Sequence, residues 1–252
     1  MKYIQSSKNP VVKQWKKLLT KKGREQSLTY IVEGFHLVEE ALKQDDTVIE
    51  LILVEGVEMP NKWNSDGIEM IQVSEEVGKA LADTETTQGV FAVCRQKDSE
   101  AINESKTFLL LDGLQDPGNI GTIIRTAEAS GIDAIVLGKG TVDLYNPKVL
   151  RSAQGSHFHL PIIKGDLSEI IPVLKEKGIP VYGTALENGK EYTTVKPQDS
   201  YALIVGNEGS GVSGEILSLT DQILYITIYG KSESLNVAIA AGILLYYFKN
   251  GQ

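Results

Sequence analysis

The sequence has 252 residues, enough for two ordinary domains with a sizeable buried core, and its 42% hydrophobic and 23% charged composition excludes disordered and fibrous classes. One cysteine, Cys94, excludes an intrachain disulfide and a multi-cysteine metal site, in keeping with a reducing compartment, and the net charge of −8 taken whole argues against a nucleic-acid partner. No apolar run reaches the ~18 residues that cross a bilayer and the start lacks the apolar core of a signal peptide, so a cytoplasmic location without membrane contact is expected.

The charge is unevenly placed. Residues 1–24 hold eight basic side chains (Lys2, Lys8, Lys13, Lys16, Lys17, Lys21, Lys22 and Arg24) and no acidic one, which leaves 17 basic against 33 acidic residues over 25–252, a net of −16. A basic arm on an acidic body suits a phosphate backbone. Val12, Trp15, Leu18 and Leu19 equally have the spacing of an amphipathic helix with a solvated lysine face, and composition does not choose between the two readings.

After this arm, YIVEGFHLVEEALKQ predicts a short strand running into an amphipathic helix, and VIELILVE predicts a second strand. VSEEVGKALADT predicts a helix opened by a serine cap, and TQGVFAVCRQ a closing strand near residue 97. The polar, aperiodic QKDSEAINESK reads as a linker. From residue 107 strands and helices alternate: TFLLLDGL strand, NIGTIIRTAEASG helix, AIVLG strand, NPKVLRSAQG helix, LSEIIPVLKEKG helix, IPVYGTAL strand, YALIVGNEG strand into loop, QILYITIYG strand, and SLNVAIAAGILLYYFKN a long final helix. Strands of continuous Val, Ile and Leu between helices imply a parallel sheet covered on both faces, whose ligands sit beyond the strands' carboxyl ends. The expected organisation is a basic arm over 1–24, a small α/β domain over 25–97, a linker over 98–106 and a second α/β domain over 107–252.

Two nucleotide signatures fail. GSGVSG at 209–214 matches G-x-G-x-x-G after a strand, but about one strand and one helix remain behind it, so its glycines are read as turn residues. GKS at 230–232 lacks the glycine five residues earlier that a Walker A loop needs, since Tyr225 stands there. His36, His157 and His159 have no carboxylate or cysteine at ligand spacing and are read as structural, leaving no metal site; Cys94, in VFAVC, is read as a small buried thiol.

Three segments carry the chemistry: 119-NIGTIIRTAEASG-131, 203-LIVGNEGSGVS-213 and 226-ITIYGKSESLNVAIAAG-242. Their order, spacing and content resemble the three motifs of the SpoU, or TrmH-type, branch of the SPOUT methyltransferases, and RSAQGSHFHLP at 151–161 looks like the region between the first two. The resemblance covers about 107–249; the part before it is similar, through EGFHLVEEAL and TQGVFAV, to the small L30e-like domain that holds RNA in such enzymes. It implies an α/β, C-terminal SPOUT-type parallel sheet with a deep trefoil knot, in which the last helix is threaded through a loop. It also implies S-adenosyl-L-methionine as cofactor, RNA as substrate and a homodimer.

Carried over residue by residue, the resemblance assigns cofactor contacts to Gly206, Ile226 and Leu235, and more weakly to Thr184 in YGTAL. It assigns catalytic roles to Arg125, Asn119, Glu208, Ser234 and Asn236. A ribose hydroxyl must lose its proton while attacking a sulfonium methyl, and some group must favour the developing alkoxide. Arg125 is too weak an acid to serve as a free base, so two roles fit: holding an RNA phosphate that assists deprotonation, or stabilising the alkoxide. Asn119 stands where a helix cap would, and one of Ser234 and Asn236 is expected to cap the last helix. Asp112, Asp116 and Lys231 receive no role. The expected activity is methylation of a ribose 2′-hydroxyl in 23S rRNA; the alternatives are the same reaction on tRNA and a noncatalytic RNA-binding protein, with a nicotinamide oxidoreductase more remote.

Overall fold

The computed structural model describes residues 2–97 and 104–250, so positions 98–103 of the expected linker lie outside the described residues, as do Met1, Gly251 and Gln252. The chain divides into two compact units: Met1–Asp98 with Asp143–Phe158, and Ser99–Val142 with His159–Gln252.

The first unit is built on β1 (Lys2–Ile4), α1 (Pro10–Lys17), α2 (Lys21–Ser27), β2 (Thr29–Glu33), α3 (Phe35–Leu42), β3 (Val48–Val54), β4 (Glu69–Val73), α4 (Glu75–Leu81) and β5 (Val90–Arg95). Its sheet runs β1-β4-β3-β5-β2, with β5 antiparallel to both neighbours and the other pairs parallel. Alternation along the strands fills two cores. Ile31, Ile52, Ile71, Phe91 and Val93 meet Val12, Trp15 and Leu18 of the amino-terminal segment and Val77 and Leu81 of α4. Tyr30, Val32, Leu51, Leu53 and Ala92 meet Leu37, Val38 and Ala41 of α3 on the opposite face, where Leu150 also packs.

Residues 1–24 are therefore folded into this unit through the apolar spacing of Val12, Trp15 and Leu18, while all seven of their lysines are exposed. Arg24 alone turns inward. It is 2% exposed and donates through Nε (2.9 Å) and Nη2 (2.8 Å) to Asp143 and through Nη1 to the Leu18 carbonyl. Asp143 precedes α6 (Pro147–Ala153), which the second half of the chain contributes to the first unit.

The second unit contains β6 (Thr107–Asp112), α5 (Pro117–Ser130), β7 (Ala134–Leu137), β8 (Ile162–Lys164), α7 (Leu167–Glu176), β9 (Val181–Thr184), β10 (Lys190–Glu191), β11 (Tyr201–Gly206), α8 (Gly214–Leu219), β12 (Gln222–Tyr225) and α9 (Val237–Asn250). Its seven strands run in the order β10-β12-β9-β11-β6-β7-β8, and every neighbouring pair is parallel. Both faces are covered, as the unbroken Val, Ile and Leu runs require. Phe108, Leu110, Val136, Val181 and Ile204 meet Leu167, Ile171 and Leu174 of α7 and Ile216 of α8. On the other face Phe248 of α9 stacks on Tyr182 and Tyr201.

The strand expected over 222–230 stops at Tyr225. Its pairing ends at Leu224 with Thr184 and at Tyr225 with Glu191, so the following peptides have no strand to bond to. That early stop turns 226–236 into a loop at the carboxyl end of the sheet.

Candidate active site

Helix α5 opens with Asp116 as its cap, not Asn119: Asp116 Oδ1 accepts the Asn119 N–H at 2.8 Å, and Pro117 follows at a position that needs no donor. The cap lies three residues before Asn119, so the alternative reading of Asn119 as only a helix cap does not hold. The consequence is chemical, because the Asn119 amide is free to face the loops beyond the sheet.

The segment after β11 folds back on itself. Asn207 and Gly211 exchange two backbone hydrogen bonds of 3.0 and 2.9 Å, and a Cβ on Gly206 would lie 2.1 Å from the carbonyl carbon of Gly211, so only glycine permits the fold. Asn207 Oδ1 accepts the N–H groups of Gly209 and Ser210, while its Nδ2 donates to the Gly113 carbonyl at 2.8 Å. Asp112 accepts the Ser213 N–H at 2.8 Å. The glycines of GSGVSG thus serve a turn, and Ser213 caps α8.

This clamp presents Glu208 to the start of α5. Its carboxylate accepts the N–H of Gln115 (3.0 Å), the N–H of Asp116 (3.0 Å) and Nδ2 of Asn119 (3.1 Å). Desolvation pushes the acid up although Glu208 is largely exposed, but the Gln115 amide, the Asn119 side chain and further backbone donors outweigh it and hold Glu208 below the usual carboxylate range. Asn119 then uses its Oδ1 to accept Nδ2 of Asn236 at 2.9 Å, and Asn236 Oδ1 accepts the Ala238 N–H at 2.9 Å as the cap of α9. One chain of hydrogen bonds, Glu208–Asn119–Asn236, joins the three segments singled out in the sequence.

Arg125 lies six residues beyond Asn119 on α5, ~9 Å along the axis. It is exposed, and its side chain forms no hydrogen bond or ion pair with any described residue. Ser234 is exposed on the loop before α9, and Asn236, not Ser234, provides the cap.

Gly206 ends β11, Thr184 ends β9 and Ile226 follows β12, three adjacent parallel strands, so these positions share one edge of the sheet. Thr184 Oγ1 donates to the Ile204 carbonyl at 2.8 Å, which commits its hydroxyl to the sheet. Leu235 is 37% exposed, Ile226 is half-buried, and a Cβ on Gly230 would meet nothing within 4 Å.

Of the residues read as inert, His36, His157 and Cys94 belong to the first unit. His36 bonds the Gln154 carbonyl at 3.0 Å in the first unit, and Cys94 is fully buried there, its thiol pushed up by desolvation. Sequence reasoning missed Asn207, Asp112 and Asp116 as braces of the site; only the asparagine and aspartate preference for turns and caps was available to signal them.

The sequence model of the SpoU rRNA Methylase family matches residues 106–246, and that of the MRM3-like substrate binding domain matches 9–92. The 23S rRNA (guanosine(2553)-2′-O)-methyltransferase RlmP of Bacillus subtilis is 49% identical over 99% of this chain and 100% of its own length. Among solved structures, the AdoMet-bound rRNA methyltransferase from Sinorhizobium meliloti superposes with a TM-score of 0.89 at 30% identity, covering 99% of this chain and 97% of that one. The SpoU methyltransferase AviRb from Streptomyces viridochromogenes, in complex with AdoMet, gives 0.86 at 26% identity over 96% and 98%. A family match over more than half of the chain, on the elements that bring Glu208, Asn119 and Asn236 together, means that the chain belongs to the SpoU rRNA methylase family of S-adenosylmethionine-dependent RNA methyltransferases.

Proposed function

We propose that this protein methylates a ribose 2′-hydroxyl of 23S rRNA, at the guanosine corresponding to the one named for the Bacillus relative. The observation that carries the site is the bond chain from Glu208 through Asn119 to Asn236, which orders three loops at the carboxyl end of a parallel sheet. When bound, S-adenosylmethionine supplies an electrophilic methyl. Gly206, Ile226 and Leu235 hold it, with Thr184 shaping the floor through its bond to Ile204.

In this reading Arg125 meets the substrate, either gripping a phosphate that assists loss of the hydroxyl proton or stabilising the alkoxide. Its exposure and its lack of a partner among the described residues leave all its donors available. Glu208 and Asn119 act as positioning residues, and Ser234 stands exposed on the loop before α9. The exposed lysines of residues 1–24 supply a phosphate-binding surface in the substrate domain.

The reading includes the threading of α9 through a loop, a homodimer and a cytoplasmic location. The bond between Asn236 and Asn119 and the packing of α9 on β11 suit such threading. The exposed Ile239 and Tyr246 on α9 provide apolar surface for a second copy. Sedimentation as a stable monomer of 27.5 kDa overturns the dimer.

The test is transfer of label from S-adenosylmethionine to separate 23S rRNA and tRNA pools from a strain lacking this gene, beside Arg125→Ala and Arg125→Lys. Label in ribose of 23S rRNA, abolished in Arg125→Ala and strongly reduced in Arg125→Lys, is the expected result. Full activity of Arg125→Lys defeats both roles for the guanidinium, and label confined to tRNA overturns the substrate.

A further inference from the structure

The loop from Ile226 to Asn236 is fastened at both ends and open between them. Near its start Thr227 Oγ1 donates to Glu191 Oε1 at 3.0 Å; at its end Asn236 is bonded to Asn119 and caps α9. Every residue from Tyr229 to Asn236 is exposed. Tyr229 is 93% exposed, the highest among the exposed large hydrophobic side chains described. Lys231, two residues on, forms no ion pair with a described residue.

Fold stability gives no reason for this tyrosine. A ring so open to water buries almost no apolar area, and it stands on the loop that runs from Ile226 to Asn236. Such a ring has a free π-face, and the backbone of Lys231 lies within ~7 Å of that of Tyr229, the most that two residues of chain can span. An aromatic face beside a cation is the chemistry that holds single-stranded nucleic acid, the ring under a base and the cation on the backbone.

We infer that Tyr229 is a stacking platform for an unpaired nucleobase of the RNA beside the methylated ribose, with Lys231 holding the neighbouring phosphate. This rests on the reading of the site as an RNA ribose methyltransferase and adds to it a determinant of which nucleotide is presented. Stacking tolerates any base, so Tyr229 selects for an unstacked nucleotide and leaves base identity to hydrogen-bonding groups.

The experiment compares wild type with Tyr229→Ala, Tyr229→Phe, Tyr229→Trp and Lys231→Gln. Methyl transfer to 23S rRNA from a strain lacking the gene gives kcat and the KM for RNA; filter retention gives RNA affinity without turnover; calorimetry gives cofactor affinity; sedimentation gives oligomeric state. Tyr229→Ala is expected to lower kcat/KM by about 5- to 150-fold, the equivalent of the ~1–3 kcal/mol of one base stack, mainly through the KM for RNA. Phe and Trp retain the face and stay near wild type. Lys231→Gln reduces the salt slope of RNA affinity by about 0.7.

Unaltered kcat/KM in Tyr229→Ala overturns the proposal, and so does a loss in Tyr229→Phe as large as in the alanine variant. A change confined to cofactor affinity or to sedimentation assigns Tyr229 to the cofactor or to a second copy and equally overturns it. If wild type transfers no methyl to this RNA, the proposed function fails on its own, and the stack is judged by whether Tyr229→Ala weakens RNA retention.

Discussion

Replacing Glu208 by glutamine keeps the shape of the side chain and removes its charge. Three donors converge on the carboxylate, from Gln115, Asp116 and Asn119. A glutamine amide must turn its NH2 toward the Gln115 or the Asp116 N–H, so at least one bond becomes donor against donor and the others lose their charge assistance. Hydrogen bonds to a charged group contribute ~1.5–3 kcal/mol each, but Glu208 is exposed and water replaces part of what is lost, which brings the expected destabilisation to ~1–2 kcal/mol. For a unit of this size that is roughly 2–8 °C in the unfolding midpoint.

The pH dependence supplies the sharper test. Because the folded acid titrates below its ordinary 4.5, its contribution is present above that value and is lost as pH falls through the lowered one. Thermal unfolding of both proteins from pH 7 down to pH 3.5 therefore shows a gap that is widest at neutrality and narrows in acid, as Glu208 of the wild type takes up its proton. A gap of equal size at pH 7 and pH 3.5, or none at pH 7, refutes the account of Glu208 as an anionic tie. Methyl transfer by the variant falls as well, since Asn119 loses an acceptor that orients its amide.

Three further outcomes follow from the same structure. Gly206→Ala forces a methyl to within 2.1 Å of backbone atoms of Gly211 and Val212; the loop opens at a cost of ~1–3 kcal/mol, and calorimetry shows weaker binding of S-adenosylmethionine. Arg24→Met leaves Asp143, a buried carboxylate, without its guanidinium, and chemical denaturation shows the first unit destabilised by ~3–5 kcal/mol; a change below ~1 kcal/mol refutes the buried ion pair as a structural tie. Simultaneous Lys13→Gln, Lys16→Gln and Lys17→Gln flattens the slope of log RNA affinity against log salt by about 2 to 3 while leaving cofactor affinity unchanged; an unaltered slope removes these lysines from the RNA surface.

Of the two readings of residues 1–24, the structure shows the amphipathic helix with a solvated lysine face. Val12, Trp15 and Leu18 make the segment a packed helix, as periodicity allowed, and the lysines remain on the solvent side. Arg24 was counted with them, yet it is the one cation turned inward, because its partner Asp143 lies 119 residues away and no local pattern connects the two.

What the sequence determined by itself was local and periodic. Unbroken apolar strands alternating with helices dictated a parallel sheet covered on both faces, and glycine-rich turns after the strands marked its carboxyl end as the site. The motif residues Asn119, Glu208 and Asn236 were legible from their spacing in a known family pattern, as was the family itself. Tertiary structure alone decided which of them touch. It moved the cap of α5 to Asp116, freeing the Asn119 amide for Glu208 and Asn236, and it ended β12 at Tyr225, exposing Tyr229 on a loop. It also gave the segment 143–158 to the first unit. The physical reason is common to all of these: a hydrogen bond between residues about 90 to 120 positions apart, or a strand that runs out of partners, depends on where the chain returns in space, and that information lies outside any window of neighbouring residues.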